Sequence, residues 1–343
     1  MKVLVTGHLG YIGVVLVPLL QSRGHEVVGY DSDLYRRSTY GPASRLPQVR
    51  NIQKDIRDSE LKDVEGFDAI LHLAGLSNDP LGDFNPSLTY DINYHASARL
   101  AELARKAGVS RFIFSSSCSN YGAAGDAPVD ESSAFNPVTP YGESKVLTEQ
   151  AVSKLATDSF SPVFLRNATA YGVSCRIRFD LVLNNLTAWA YTTGKVHIKS
   201  DGTPWRPIVH IEDISRAFVA TLEAPKEKVH NQAFNVGATK ENYRVREIAE
   251  IVHATVPNSE VSFAEGGSPD KRNYRANCDK FTSTFPQWAP KWTAKAAAKE
   301  LHDSFKAVGV TLDEFEGDRY KRIGQLKALL KEGQLDESFR FTR

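Results

Sequence analysis

The stretch Thr6-Gly7-His8-Leu9-Gly10-Tyr11-Ile12-Gly13 decides how this chain is read. It lies between the apolar run Lys2-Val3-Leu4-Val5 and a second one, Val14-Val15-Leu16-Val17, which opens a segment of helical length. A glycine-rich turn from strand to helix is built to hold a phosphate. Gly7 permits the tight turn, Gly10 lets the backbone approach a pyrophosphate, and Gly13 lets helix and strand pack closely. The pyrophosphate then meets the free N–H groups and the positive end of the helix dipole. A further strand, Glu26-Val27-Val28-Gly29-Tyr30, ends on Asp31. An acidic residue about 20 positions beyond the turn is placed to accept hydrogen bonds from an adenosine ribose. The pattern predicts a dinucleotide site. Asp31 would repel a 2′-phosphate, so NAD is expected rather than NADP, although Arg36 and Arg37 lie near enough to attract one.

The 343 residues carry a net charge of +1, so no broad field points to nucleic acid or to a membrane surface. Three cysteines, Cys118, Cys175 and Cys278, are widely spaced and form neither a disulfide framework nor a metal-ligand pattern, so no metal is expected. No signal peptide is read at the N-terminus, and no apolar run reaches the ~20 residues that span a bilayer. A cytoplasmic location is expected.

Strand-like and helix-like segments alternate through the first half. Strands are expected at Lys2–Val5, Glu26–Tyr30, Asn51–Gln53, Ala69–Leu73, Arg111–Ser115 and Val163–Leu165, and helices at Gly13–Ser22, Ser97–Ala107 and Tyr141–Leu155. This alternation predicts an α/β fold, a Rossmann-type doubly wound parallel sheet with helices on both faces. Beyond Gly172 the pattern loosens into a smaller mixed α/β unit. It offers helices at Asp180–Thr192, Asp213–Leu222 and Arg244–Val256, strands at Ile208–Ile211 and Ala233–Val236, and a loop at Glu265–Arg275. A mostly helical end, Thr293–Gln334, leads into a short polar tail. The expected division is a dinucleotide-binding domain at 1–172, with a return segment near 206–237, and a mainly substrate-binding domain at 173–343.

Two further segments carry chemistry. In Tyr141-Gly142-Glu143-Ser144-Lys145 the tyrosine and lysine share one helical face. An ammonium beside a phenol favours the phenolate, which can take a proton from a sugar hydroxyl as hydride leaves the same carbon. The strand Phe112-Ile113-Phe114 runs into the hydroxyl row Ser115-Ser116-Ser117, at the sheet edge where open α/β folds bind ligands.

These three segments, in this order, resemble the extended short-chain dehydrogenase/reductase family, most closely its nucleotide-sugar epimerases and dehydratases. The resemblance implies that Gly7, Gly10 and Gly13, with Tyr11 and Ile12, hold the NAD pyrophosphate. It places Asp31 at the ribose, Asp55-Ile56 beside adenine, and Leu73-Ala74-Gly75 of the segment after His72 along the cofactor. Asn93 stands at the family's structural asparagine and is grouped with the cofactor site. Ser117, Tyr141 and Lys145 match the catalytic residues, and Tyr141 and Lys145 also border the cofactor. On the substrate side the resemblance selects Ser77 and Asn78 after strand four, Ser117, Thr169, Asn185, Leu186, Arg206 and Arg272, the two arginines at the nucleotide-sugar diphosphate. The structural alternatives are a turn and helix cap at Ser77–Asp79, and surface arginines at 206 and 272.

The chain departs from the family at three places. The dehydratase branch carries Asp-Glu directly after the catalytic Ser/Thr, whereas this chain has Cys118-Ser119, which disfavours 4,6-dehydration. Cys118 is either a small buried hydrophobe or a tunable acid/base. Thr169 stands at a common asparagine, and Pro207 follows Arg206 where aspartate is usual. Trp189 is read as core, and Trp205 as core or as a stacking surface.

The implied function is an NAD-dependent nucleotide-sugar epimerase that transiently oxidises the sugar, at C4 most simply, and returns the hydride. The alternatives are a 4-keto-sugar reductase, a 4,6-dehydratase, a 3- or 5-epimerase using Cys118, and a non-catalytic NAD-binding regulator. The implied partners are a nucleotide-diphosphate sugar and, through the helices around Ser97–Ala107 and Tyr141–Leu155, a second copy in a homodimer.

Overall fold

The computed structural model describes residues 1–77, 79–264 and 272–342. Its first half runs β1 (Lys2–Thr6), α1 (Gly13–Ser22), β2 (Glu26–Tyr30), β3 (Arg50–Ile52), β4 (Ala69–His72), α2 (Asp79–Phe84), α3 (Pro86–Tyr90), α4 (Ala96–Lys106), β5 (Arg111–Ser117), β6 (Ala123–Val129), α5 (Pro140–Ser153), β7 (Ser161–Asn167) and β8 (Thr169–Tyr171). The second half runs α6 (Val182–Thr193), β9 (Lys195–Ile198), β10 (Trp205–His210), α7 (Ile211–Glu223), α8 (Lys226–Val229), β11 (Gln232–Val236), β12 (Asn242–Arg244), α9 (Val245–Thr255), β13 (Glu260–Phe263) and β14 (Asn273–Ala276). The helices α10 (Asp279–Thr284), α11 (Ala294–Val308), α12 (Leu312–Glu316) and α13 (Arg322–Lys331) follow.

Seven strands form one sheet in the order β11-β7-β5-β4-β1-β2-β3. Every pairing in it is parallel. The order reverses between β1 and β4, so a crevice opens at their carboxyl ends, where such folds bind ligands. Side chains alternate across β1: Val3 and Val5 join Leu71, Ile113 and Leu165 under α1 and α7, while Leu4 joins Ile70, Phe112 and Phe114 under α4. Both faces are covered, which is why these strands read as near-continuous apolar runs. A third cluster gathers Tyr40 and Tyr171 with Phe179, Leu186, Ile248, Leu301 and Phe315 from the second half of the chain. Trp189 packs against it, as expected of core, with its ring edge-on to Phe315 at 5.4 Å.

Within 206–237, β11 joins the edge of the main sheet, while β10 pairs with β8 and β12. Three expectations change. Within the expected loop at Glu265–Arg275, residues 265–271 lie outside the described residues, and Asn273–Ala276 forms β14, paired with β6. β6 itself, Ala-Ala-Gly-Asp-Ala-Pro-Val, was not expected because it lacks alternating apolar residues. The tail is also more than polar: Leu335 and Phe339 are buried in the cluster that holds Leu4 and Phe112, beside Leu326 and Leu329 of α13.

Candidate active site

The crevice is a cleft of about 550 Å³ between the carboxyl edge of the sheet and the loops of the second half. On its floor lies the glycine turn. Gly7 has a φ of +71°, and a Cβ there would sit 2.7 Å from the Ala74 backbone nitrogen. At Gly13 a Cβ would lie 2.4 Å from the Gly7 carbonyl oxygen, so α1 starts tight against the turn. α1 begins without a side-chain cap and without an acidic residue in its first turn. Its N-terminal dipole therefore faces the cleft unneutralised, an arrangement that fits a pyrophosphate. Gly10, Tyr11 and Ile12 complete this wall.

Asp31, at the end of β2, lines the cleft and accepts from the Leu9 N–H at 3.0 Å and the Asp33 N–H at 2.8 Å. Burial pushes its carboxyl group up from the ordinary range, while those two N–H groups and Arg176 oppose the shift. Asp55 and Ile56 line the same end, with Asp55 held by the Arg57 guanidinium at 2.7 and 3.0 Å. Arg36 and Arg37 turn away from the cleft. Arg37 pairs with Glu332, and Arg36 lies 4.6 Å over the Phe341 ring. Leu73, Ala74 and Gly75 form the next stretch of wall.

Asn93 needs correction as a cofactor contact. It is buried behind Gly75, where its amide oxygen accepts from the Leu76 N–H at 2.7 Å and its nitrogen donates to the Leu76 carbonyl at 2.9 Å. It is not among the residues facing the cleft and acts by fixing the backbone of 75–76.

Thr139 caps α5 by accepting from the Gly142 N–H at 3.2 Å, which sets Tyr141 in the first turn at the cleft and Lys145 one turn deeper. The Lys145 ammonium lies 5.8 Å from the Tyr141 ring centroid and donates to the Ser115 carbonyl at 2.9 Å. Burial pulls its pKa down to about 8, with Glu149 opposing, so it remains a cation at neutral pH. Ser117 reaches the cleft at the end of β5, its hydroxyl bonded to the Ser119 hydroxyl at 3.0 Å. The neighbouring Ser116 is used differently: it joins a buried network with Glu149, Asn120 and Arg166.

Cys118 falls outside the cleft. It is fully buried, donates its thiol to the Arg166 carbonyl at 3.1 Å and packs with Tyr121 and Cys278. Burial pushes the thiol well above its ordinary range, so it is the small hydrophobe of the two readings rather than an acid or base.

Of the expected substrate contacts, Ser77, Thr169, Asn185, Leu186, Arg206 and Arg272 all line the cleft. Asn78 lies outside the described residues. Asn185 spends its amide nitrogen on the Phe179 carbonyl at 2.8 Å, and Arg206 reaches the carbonyls of Trp205 and Arg272. Trp205 is not in the cleft; it is held between Arg244 and Arg275 at 5.1 and 4.7 Å. Sequence reading missed Arg178, Arg322 and Phe339, which also line the cleft. No local signal marks them, because which side chains are brought to a cleft is a tertiary property.

A parallel sheet with a glycine turn at its switch point defines a Rossmann-type dinucleotide enzyme. The chain belongs to the NAD-dependent epimerase/dehydratase family, whose model matches residues 3–237. Its cofactor is NAD, and it is an enzyme of the isomerase/oxidoreductase type. It is 30% identical over 293 residues to a UDP-glucose 4-epimerase of Lactobacillus helveticus, covering 79% of this chain and 87% of that one. It superposes with a TM-score of 0.75 and 26% identity on a UDP-glucuronic acid 4-epimerase from Bacillus cereus solved with UDP-glucuronic acid and NAD, over 90% of this chain and 100% of that one. A dTDP-glucose 4,6-dehydratase from Streptomyces venezuelae shares the fold, with a TM-score of 0.77 and 21% identity over 90% of this chain and 97% of that one. The chain is thus an NAD-dependent nucleotide-sugar epimerase/dehydratase. No helix among the described residues is long and apolar enough to cross a membrane.

Proposed function

We propose that the chain is a nucleotide-sugar epimerase that oxidises one sugar carbinol, at C4, and restores it with inverted configuration. One observation carries this choice within the family. Ser117, Tyr141 and Lys145 meet the glycine turn in one cleft, while the two positions after Ser117 hold a buried thiol and Ser119. Among the described lining residues the carboxylates are Asp31, Asp33, Asp55 and Asp180, and none follows Ser117. Elimination of water needs an acid at the leaving hydroxyl and a base at the adjacent carbon; inversion by oxidation and return needs neither.

NAD, when bound, supplies the acceptor that takes a hydride and gives it back. The Tyr141 phenol oxygen takes the proton of the sugar hydroxyl and later returns it. The Lys145 charge favours the phenolate, and Ser117 donates a hydrogen bond to the reacting oxygen. Arg206 and Arg272, on the far wall, hold the diphosphate of the nucleotide, a role for which a planar guanidinium is suited. The oxidised sugar is tethered there and turns its other face before reduction. The same reading includes a homodimer packed through α4 and α5, which light scattering tests, and a cytoplasmic location.

The first experiment is to denature the purified protein and measure released NAD(H) by chromatography, then to assay UDP- and dTDP-hexoses. Near-stoichiometric NAD with interconversion of two 4-epimers supports the proposal. A protein free of cofactor that oxidises added NADH with a 4-keto-sugar overturns it in favour of a reductase.

A further inference from the structure

Two buried guanidiniums in the cleft have no role in the reading above. The loop 173–181 is pinned to the glycine-turn side of the sheet. The Ser174 hydroxyl donates to the Tyr11 carbonyl at 2.9 Å, Arg176 bonds the Tyr35 carbonyl and the Asp33 carboxylate, and the Asn184 amide joins the Tyr11 hydroxyl to the Arg178 carbonyl at 3.0 and 2.9 Å. Arg178 therefore enters the cleft beside the turn. Arg322, the first residue of α13, enters from the C-terminal segment. The two meet at one acceptor, the Ser77 hydroxyl, at 3.2 and 3.4 Å.

The two cations crowd one another, and Asp180 is bonded to the first of them. Arg178 is paired with Asp180 at 2.6 and 3.1 Å. Arg322 is 7% exposed and rests 4.2 Å from the centroid of the Tyr35 ring, with the Asp180 and Asp31 carboxylates acting on it through space. Burial and then the neighbouring Arg178 lower its pKa to about 10, which still leaves it charged at neutral pH. Its place in the first turn of α13 adds the repulsion of a helix N-terminus for a cation. Two buried cations side by side, one of them at a helix N-terminus, make this part of the cleft a favourable place for a bound anion.

We propose that Arg178 and Arg322 form an anion site for the pyrophosphate of the cofactor, beside the glycine turn. The diphosphate is the ligand whose position fits. The pair lies between Tyr35, just beyond the ribose-side Asp31, and Ser77, just beyond the wall Leu73–Gly75, and Arg178 is tied to Tyr11 of the turn. Arg206 and Arg272 provide a separate pair for the nucleotide sugar. The cofactor site is thus closed by a residue more than three hundred positions from the turn that opens it.

The proposal rests on NAD lying across this cleft, but not on the epimerase reaction. The test is calorimetric titration of cofactor-stripped protein with NAD, ADP-ribose, adenosine and UDP. Arg322→Gln is expected to weaken NAD and ADP-ribose at least about tenfold while adenosine and UDP are unchanged, and Arg322→Lys to recover part of the loss. Arg340→Ala removes the Asp58 pair elsewhere on the C-terminal segment and controls for a loosened fold, together with the thermal midpoint of each variant. Unchanged NAD affinity in Arg322→Gln overturns the proposal. So does a loss confined to UDP, which would assign the pair to the substrate, or an equal loss in Arg340→Ala, which would make Arg322 a packing residue. A chain that binds NAD through Arg322 yet inverts no sugar leaves this site standing and removes only the reaction.

Discussion

The Lys145 ammonium and the Tyr141 ring are 5.8 Å apart, and the ammonium is anchored from below by the Ser115 carbonyl at 2.9 Å. The lysine is therefore fixed by the sheet edge rather than by the tyrosine, and its charge reaches the phenol through space. Tyr141→Phe keeps the ring and removes the proton acceptor. It should lower kcat by about 10²–10⁴-fold with NAD content unaltered. Wild-type turnover in this variant would end the assignment of Tyr141.

The Lys145 charge has a cost in the folded state. Its folded pKa, about 8, is below the ordinary 10.5, so between those values the unfolded chain binds more protons and stability rises with pH. Lys145→Met should raise the urea midpoint at pH 7, with the advantage fading above pH 10.5, while kcat falls about 10²-fold or more. In the wild type, kcat/KM should decline as pH climbs through about 8 and the cation is lost. A destabilised Lys145→Met at pH 7 would contradict this account.

Behind the site, Arg166 and Glu149 are each buried and bonded at 2.8 and 3.1 Å, with Ser116 and Asn120 on the same carboxylate. Removing one charge strands the other. Glu149→Gln should cost about 3–5 kcal/mol in denaturant unfolding, and Glu149→Gln with Arg166→Met should cost less than the sum of the two single changes. Additive losses would show that the pair is not coupled.

Gly13→Ala places a Cβ 2.4 Å from the Gly7 carbonyl oxygen, and backbone cannot yield as a side chain would. The turn must open. The purified variant should hold about a tenth of the wild-type NAD or less, at a cost of about 1–3 kcal/mol in stability. Full cofactor content would mean that the turn does not set affinity.

Cys118→Ala tests the placement of the thiol outside the chemistry. Turnover should stay within about twofold, and stability should drop by about 1 kcal/mol from the small cavity. A collapse of kcat with intact folding would return Cys118 to the mechanism.

The central strands of the main sheet are readable because both of its faces are covered, so they carry apolar runs such as Ala69–Leu71. The glycine turn and the Tyr141–Lys145 spacing were legible because their chemistry is written within eight and five consecutive residues. Cys118 was ambiguous, since the same residue serves a core or a reaction and only burial decides. β6 and β14 were invisible because each is held by the other, across more than a hundred residues, rather than by its own pattern. Arg178 and Arg322 escaped for the same reason: a sequence shows a charge but not the water it has lost.

The placement of Leu335 and Phe339 has a consequence for the life of the chain. They fill the core that lies under Leu4 and Phe112, so the first strand and the last described turns share one packing layer. A ribosome releases the glycine turn first, yet that layer stays unfinished until residues near 340 have emerged. Cutting the chain after β11 would expose an apolar face, and the nascent polypeptide must keep that face from its neighbours for almost the whole of its synthesis.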